Sequence, residues 1–150
     1  MQLAQLNLAD AIADMESPIM AGFINATDRI NELAAQSDGY IWSLIDRPEE
    51  ERENRIEVFS KESVLVNMTV WKNRESLFEF VYSSDHKDIM IRKKEWFQKM
   101  PKIHMVLWYV PDGHQPTISE GKERLEYLRL HGETPYAFSF KSKFTLEDTK

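Results

Sequence analysis

Apolar and polar residues alternate over residues 2–9, QLAQLNLA. Ala4, Leu6 and Leu8 fall on one side and Leu3, Gln5 and Asn7 on the other. A period of two marks a half-buried strand. In ESPIM at 16–20, Ser17 precedes Pro18, an N-cap followed by proline at the first helical position. Met20, Phe23, Ile24, Ile30, Leu33 and Ala34 continue as a helical stripe. The helix is expected to stop near Ser37, where Gly39 can take a positive φ. YIWSLI at 40–45 reads as a second strand, and SVLVNMTVW at 63–71, rich in β-branched residues, as a third. The intervening DRPEEERENRIEVFSKE at 46–62 is highly charged. It reads as an exposed excursion, with at most a short extended piece at 56–59.

Helical spacing returns at Leu77, Phe78 and Val81. It is interrupted by SSDH and resumes from a cap at Ser84 to about residue 99. KIHMVLWYV at 102–110 is a fourth strand. Thr117 and Glu120 fit a capping box, so a third helix is expected to about His131, with Gly132 just past its end. YAFSF at 136–140 reads as a short edge strand. Residues 141–150 read as a flexible polar tail, leaving one domain over 1–140.

Strand, helix, strand, strand, broken helix, strand is βαββαβ. The expected fold is therefore α+β and ferredoxin-like, an antiparallel sheet with helices on one face and an extra C-terminal helix. In the third strand Val64, Val66, Met68 and Val70 suit packing under helices, and Leu65, Asn67, Thr69 and Trp71 share the other face. Either Trp42 or Ser43 joins that second face. So do either His104, Val106 and Trp108 or Ile103, Met105, Leu107 and Tyr109. A helix-free face collecting amides and large aromatics has the make-up of a small-molecule pocket. A second copy would cover such a face, so a homodimer is expected whose two sheets border the pockets. The plain alternative is a packed or wet sheet face, with Trp71 a core anchor.

Composition narrows the function classes. The chain of 150 residues suffices for one domain with a core, and 42% hydrophobic and 29% charged residues are ordinary for a globular protein. No apolar run is long enough to span a membrane, and the N-terminus lacks the pattern of a signal peptide. With no cysteine, disulfides, thiolate metal sites and cysteine nucleophiles are excluded, which fits a cytoplasmic protein. A net charge of -6, with basic residues dispersed except in IRKKEW at 91–96, argues against nucleic-acid binding.

The candidate chemistry is sparse. His86, beside the cap in SSDHKD, sits where a helix dipole disfavours the imidazolium, so a neutral ring could serve as ligand or base. The alternative is a structural histidine at a helix end. His114, between prolines in VPDGHQPT, either lines a pocket mouth or is solvated. Arg92 and Trp96 read as an anion clamp and a wall, or as a charged outer face and a core tryptophan. No histidine pair has metal-site spacing, and no nucleophile elbow or phosphate-cradling glycine loop is present, so no metal is expected.

QLAQLNLA, MAGF, LVNMTVW, VYSSDH, KKEWF, VLWYVPDGHQPT and ERLEYLRLHGETPYAFSF together resemble an uncharacterised bacterial family known only by a domain-of-unknown-function label. The likeness runs over residues 2–140. That family is similar in fold to the dimeric α/β-barrel superfamily, which includes antibiotic-biosynthesis and haem-degrading monooxygenases. The resemblance implies a site built from an asparagine on the first strand, a tryptophan on the third and a histidine on the following helix. Those positions are Asn7, Trp71 and His86, working with no cofactor or with haem. It implies a monooxygenase-like enzyme acting on an aromatic or polyketide-like substrate. Asn67, Trp42, Trp108, Arg92, Trp96 and His114 would then contact that substrate. The alternatives are a haem- or ligand-binding module without turnover, or a structural dimeric domain.

Overall fold

In a computed structural model, the described residues are 1–149 without Glu62, and the side chains of Glu53, Ser84, Asp85, His86 and Ile89 are not described. Strand β1 (Gln2–Ala11) is central. A 3-10 turn capped by the Ser17 side chain leads into helix α1 (Ala21–Gln36). Gly39, at φ 86°, turns the chain into β2 (Tyr40–Ser43). Then come α2 (Glu49–Phe59), β3 (Val64–Trp71), α3 (Arg74–Val81) and α4 (Ser84–Arg92). A two-residue strand β4 (Phe97–Gln98), β5 (Met105–Val110) and α5 (Ile118–His131) complete the main elements.

β1 pairs antiparallel with β3 along one edge. Along the other edge it pairs with β5 and then, further on, with β4. β2 adds to the outer edge of β3. This is the α+β, ferredoxin-like arrangement that the element order predicts.

The two faces take different covers. Ala4, Leu6, Leu8, Val70, Val106 and Trp108 form one core with Leu125 and Leu128 of α5, and Val58 and Phe59 of α2 pack against it. On the opposite face Leu3, Trp71 and Leu107 pack with Ala34 of α1 and Leu77 of α3. Farther along that face, Ala11 meets Met20, Trp96, Phe23 and Leu65. The crossover helices α1 and α3 thus share one face, but it is the face of Trp71 and Asn67. Val64, Val66, Met68 and Val70 do pack under helices, as expected, but these are α5 and α2 and not the crossover helices. The helix-free face expected for the pocket does not exist among the described residues.

The reason is α2, which forms where an excursion was expected. Acids at Glu49, Glu50 and Glu51 suit the positive end of the helix dipole, and Arg47 pairs with Glu51 at 3.0 Å. The helix buries none of its described residues. Its far end is held by bonds to backbone carbonyls: Lys122 Nζ donates to Val58 O at 2.7 Å, and Arg55 donates to Val64 O at 2.6 Å. Ser60, at φ 57°, then ends it in the left-handed region. α5 approaches the sheet through Gly121, where an added Cβ would sit 2.4 Å from Leu6 Cδ1.

Both faces carry helices, but the crossover face stays open at its middle, where Asn67 is exposed. The segment expected as an edge strand makes only isolated bridges, Phe138 with Leu107 and Ala137 with Thr134. The expected flexible tail is anchored through residue 144. The Tyr109 hydroxyl donates to Phe144 O at 2.8 Å, and the Arg74 guanidinium donates to the carbonyls of Phe140 and Ser142. Among the described residues no helix is long and apolar enough to cross a membrane.

Candidate functional site

The crossover face has a polar break in its middle. Asn7 on β1 lies directly opposite Asn67 on β3, and the next pair on that face is Gln5 opposite Thr69. Leu3 and Trp71 follow at one end, and Ala9 and Leu65 at the other. β5 sets Met105 beside Asn7 and Leu107 beside Gln5. The result is an amide and hydroxyl belt between two apolar clusters. Gln5 and Thr69 are buried at 9% and 7% exposure, Asn7 is half-buried and Asn67 is exposed.

Within the belt a hydrogen-bonded chain connects both strands. The Trp71 indole N–H donates to Thr69 Oγ1 at 2.9 Å, and the Thr69 hydroxyl donates to Gln5 Oε1 at 2.9 Å. Residues two apart on a strand share a face, which brings indole and hydroxyl together. Trp71 is wholly buried, stacked on Phe80 at 5.2 Å and meeting Tyr40 edge-on at 5.7 Å. The indole expected to contact substrate is therefore a packed anchor that orients Thr69.

The other expected site residues scatter. Trp42 and Trp108 are buried in the core of the opposite face, with the sheet between them and Asn7. Trp108 Nε1 donates to Glu120 Oε2 at 2.9 Å, and His114 Nε2 lies 2.7 Å from Glu120 Oε1. The capping box of α5 is thus half made. Thr117 Oγ1 accepts from Glu120 N at 3.1 Å, while the Glu120 carboxylate serves Trp108 and His114. Exposed His114 lines the loop before α5, away from the belt.

Trp96 is buried in the far apolar cluster against Phe23. Arg92 lies over the Trp96 ring at 4.8 Å and donates through Nε to Glu95 at 2.8 Å. That hydrogen bond lowers the Glu95 carboxyl below its usual range and raises Arg92. A guanidinium so engaged is not a free anion clamp. His86 belongs to α4, but its side chain lies outside the described residues.

Sequence reasoning passed over Gln5 and Thr69 as site residues. The alternation that put Asn67 and Trp71 on one face also put Thr69 there, and Gln5 with Asn7, so the signal was present.

Two clefts lie elsewhere. One of about 360 Å³ sits between α2 and the start of α5, lined by Leu44, Arg47, Asn54 and Ile118 among others. One of about 220 Å³ sits between the end of α1 and α3, lined by Leu33, Ser76 and Phe80 among others. Neither is lined by the belt. The belt differs from both clefts in bringing three amides and a hydroxyl together between two apolar clusters.

Among the described residues no group of three or more metal-binding side chains converges. His86, the residue expected to ligate haem, has its side chain outside the described residues, and Trp71 is packed against Phe80 and Tyr40.

A conserved protein from Methanosarcina mazei Go1 is similar over 74% of this chain and 94% of its own, with 14% identity and a TM-score of 0.54, a likeness of fold. SnoaB, a cofactor-independent oxygenase from Streptomyces nogalater, is 12% identical over 77% of this chain and 98% of its own, with a TM-score of 0.49. A protein of unknown function from Nitrosomonas europaea is 11% identical over 77% and 95%, with a TM-score of 0.49. No curated protein matches the sequence. The match that spans the chain is to a domain of unknown function, DUF3291, over residues 2–150, and the chain belongs to that family.

Proposed function

We propose that this chain binds an aromatic or polyketide-like small molecule at the Asn7–Asn67 belt and oxidises it by monooxygenase-like chemistry. The observation that carries the reading is the break in the crossover face. Two apolar clusters flank three amides and a hydroxyl, of which Gln5 and Thr69 are buried, Asn7 is half-buried and Asn67 is exposed. Amides that meet solvent between apolar walls can exchange water for the oxygens of a bound ligand. Apolar walls with a few hydrogen-bonding groups between them suit a flat ring system carrying phenol or carbonyl oxygens.

The reaction class comes from the resemblance to dimeric α/β-barrel monooxygenases, and the residues come from the belt. Asn7 and Asn67 donate amide N–H to a phenolate oxygen and so stabilise the electron-rich anion. A donor placed on developing charge contributes roughly 10²–10³ in rate where water is excluded, and less for the exposed Asn67. The electron-rich ring itself reduces dioxygen. A ring methylene and dioxygen give a ring carbonyl and water, with both electron pairs supplied by the substrate. Trp71 acts through Thr69 and does not touch the substrate. The site lies within one chain, so the reading needs no second copy.

The test is titration with a tricyclic dihydroxyanthrone, followed by tryptophan fluorescence and oxygen uptake. Saturable quenching with uptake is expected, and Asn7→Ala lowers the turnover rate by about 10²-fold. Absence of quenching up to the solubility limit sinks the reading. Quenching without uptake leaves a ligand-binding module.

A further inference from the structure

We infer that Gln5 is a third ligand-contacting donor of the belt, and that Thr69 and Trp71 are positioning residues that decide which end of its amide meets the ligand. This rests on the reading of the belt as a ligand site.

A glutamine amide has two nearly isosteric ends, and only its partners decide which way it points. Here the partner is unambiguous. The Trp71 indole N–H can only donate, so Thr69 Oγ1 accepts from it at 2.9 Å. The Thr69 hydroxyl hydrogen then needs an acceptor, and Gln5 Oε1 is 2.9 Å away. Were the amide reversed, Thr69 would accept twice and its own hydrogen would be left unpaired inside an apolar face. The chain from indole to hydroxyl to carbonyl therefore commits Oε1, and Gln5 Nε2 remains as a pair of N–H donors.

Among the described residues no hydrogen bond from Nε2 is formed, and Nε2 is not one of the buried atoms without a partner, so this end of the 9% exposed side chain keeps contact with solvent. A donor pair held in one direction at the opening of the belt is presented to an acceptor that arrives from outside. It selects phenolate, quinone or ketone oxygens over cations. Gln5 and Asn7 are two residues apart on one face of β1, about 7 Å along the strand. That spacing suits two oxygens of one polycyclic ligand better than a single shared oxygen.

The experiment measures binding of the dihydroxyanthrone by fluorescence, with thermal melting as the folding control. Thr69→Val keeps the shape and removes the hydroxyl, so the amide is free to turn, and binding should weaken about tenfold. Thr69→Ser restores the hydroxyl and should return binding to within about twofold of the parent protein. Gln5→Leu should lose as much as Thr69→Val, and the double variant no more than Gln5→Leu alone, because both changes remove one donor. A merely structural Thr69 would add its loss to that of Gln5→Leu and would overturn the inference. If Asn7→Ala weakens binding and neither Gln5→Leu nor Thr69→Val does, the inference falls and the belt stands. If none of the three does, or if the parent protein does not bind the probe, both fall. Should Gln5→Leu fail to fold, Gln5→Met and the Thr69 pair decide the same question.

Discussion

One face of the sheet is apolar from Ala4 to Leu8 along β1 and turns polar only at buried Asp10, opposite Val64, where Lys61 and Ser63 donate to the carboxylate, while the other face is apolar at both ends and polar in the middle. Both faces carry helices of the same chain, but in the middle of the crossover face Asn67 is exposed and Asn7 half-buried, whereas Leu6 and Met68 on the other face are fully covered. On the continuous face Leu125 and Leu128 of α5 share one core with Leu6 and Val106. On the crossover face Leu3 with Trp71, and Ala11 with Trp96, form separate clusters. Between them the strands spend four positions on Gln5, Asn7, Asn67 and Thr69. A face that needed only stability would not be interrupted there, because apolar burial is the larger favourable term. Function is to be sought where the core has been given up.

If that contrast is real, the same kind of substitution has opposite consequences on the two faces. The largest effect is expected from Leu8→Asn. Leu8 is 4% exposed and lies on the continuous face, one residue from Asn7. The change removes a packed side chain and buries an amide without partners. It should cost about 3–5 kcal/mol in urea unfolding. For a chain of this size that corresponds to a fall of roughly 6–20 °C in Tm. A loss below about 1 kcal/mol would mean that the continuous face tolerates amides as well as the other does.

Gly121→Ala tests how closely that face is packed. In an isolated helix alanine is better than glycine by about 1 kcal/mol. Here the added methyl would meet Leu6 Cδ1 at 2.4 Å, and overpacking of that kind costs about 1–3 kcal/mol. Net destabilisation is expected in the parent protein. In a Leu6→Ala background the colliding atom is gone, so the same change should stabilise. The sign reversal, read from paired denaturant curves, separates packing from helix propensity.

The features legible in the sequence were those written in local periodicity. β1, β3 and β5 announce themselves through alternation and β-branched residues, and α1 and α5 through caps and stripes. Alternation also placed Asn67, Thr69 and Trp71 on one side. It could not say which side faces the helices, because a period of two distinguishes faces without orienting them. The assignment failed through an assumption that the more apolar face lies under the crossover helices. α2 was invisible for a physical reason. Ile56, Val58 and Phe59 are its only apolar residues. The bonds that hold its end include one from Lys122, 64 residues away from Val58. The separation of Trp42 and Trp108 from Trp71 also depended on the orientation of each strand, and β4 is only two residues long. The opposition of Asn7 and Asn67 is a matter of strand register, which no single strand encodes.

The smallest expected change in stability is at Asn7 itself. Asn7→Leu would put an apolar side chain between Met105 and Asn67, with Leu65 on the diagonal opposite Ala9, and so extend the apolar surface of the two clusters toward each other. Replacing a half-buried amide that makes no side-chain hydrogen bond among the described residues removes a desolvation cost and adds apolar contact. The expected outcome is a change between zero and about 1 kcal/mol of added stability. Binding of the dihydroxyanthrone should nevertheless fall at least tenfold, since the donor is gone and its space is filled. Gain of stability with loss of binding is the mark of a position kept polar for a ligand. If Asn7→Leu instead destabilises the protein by 2 kcal/mol or more, the amide is part of the fold and the break in the crossover face is structural.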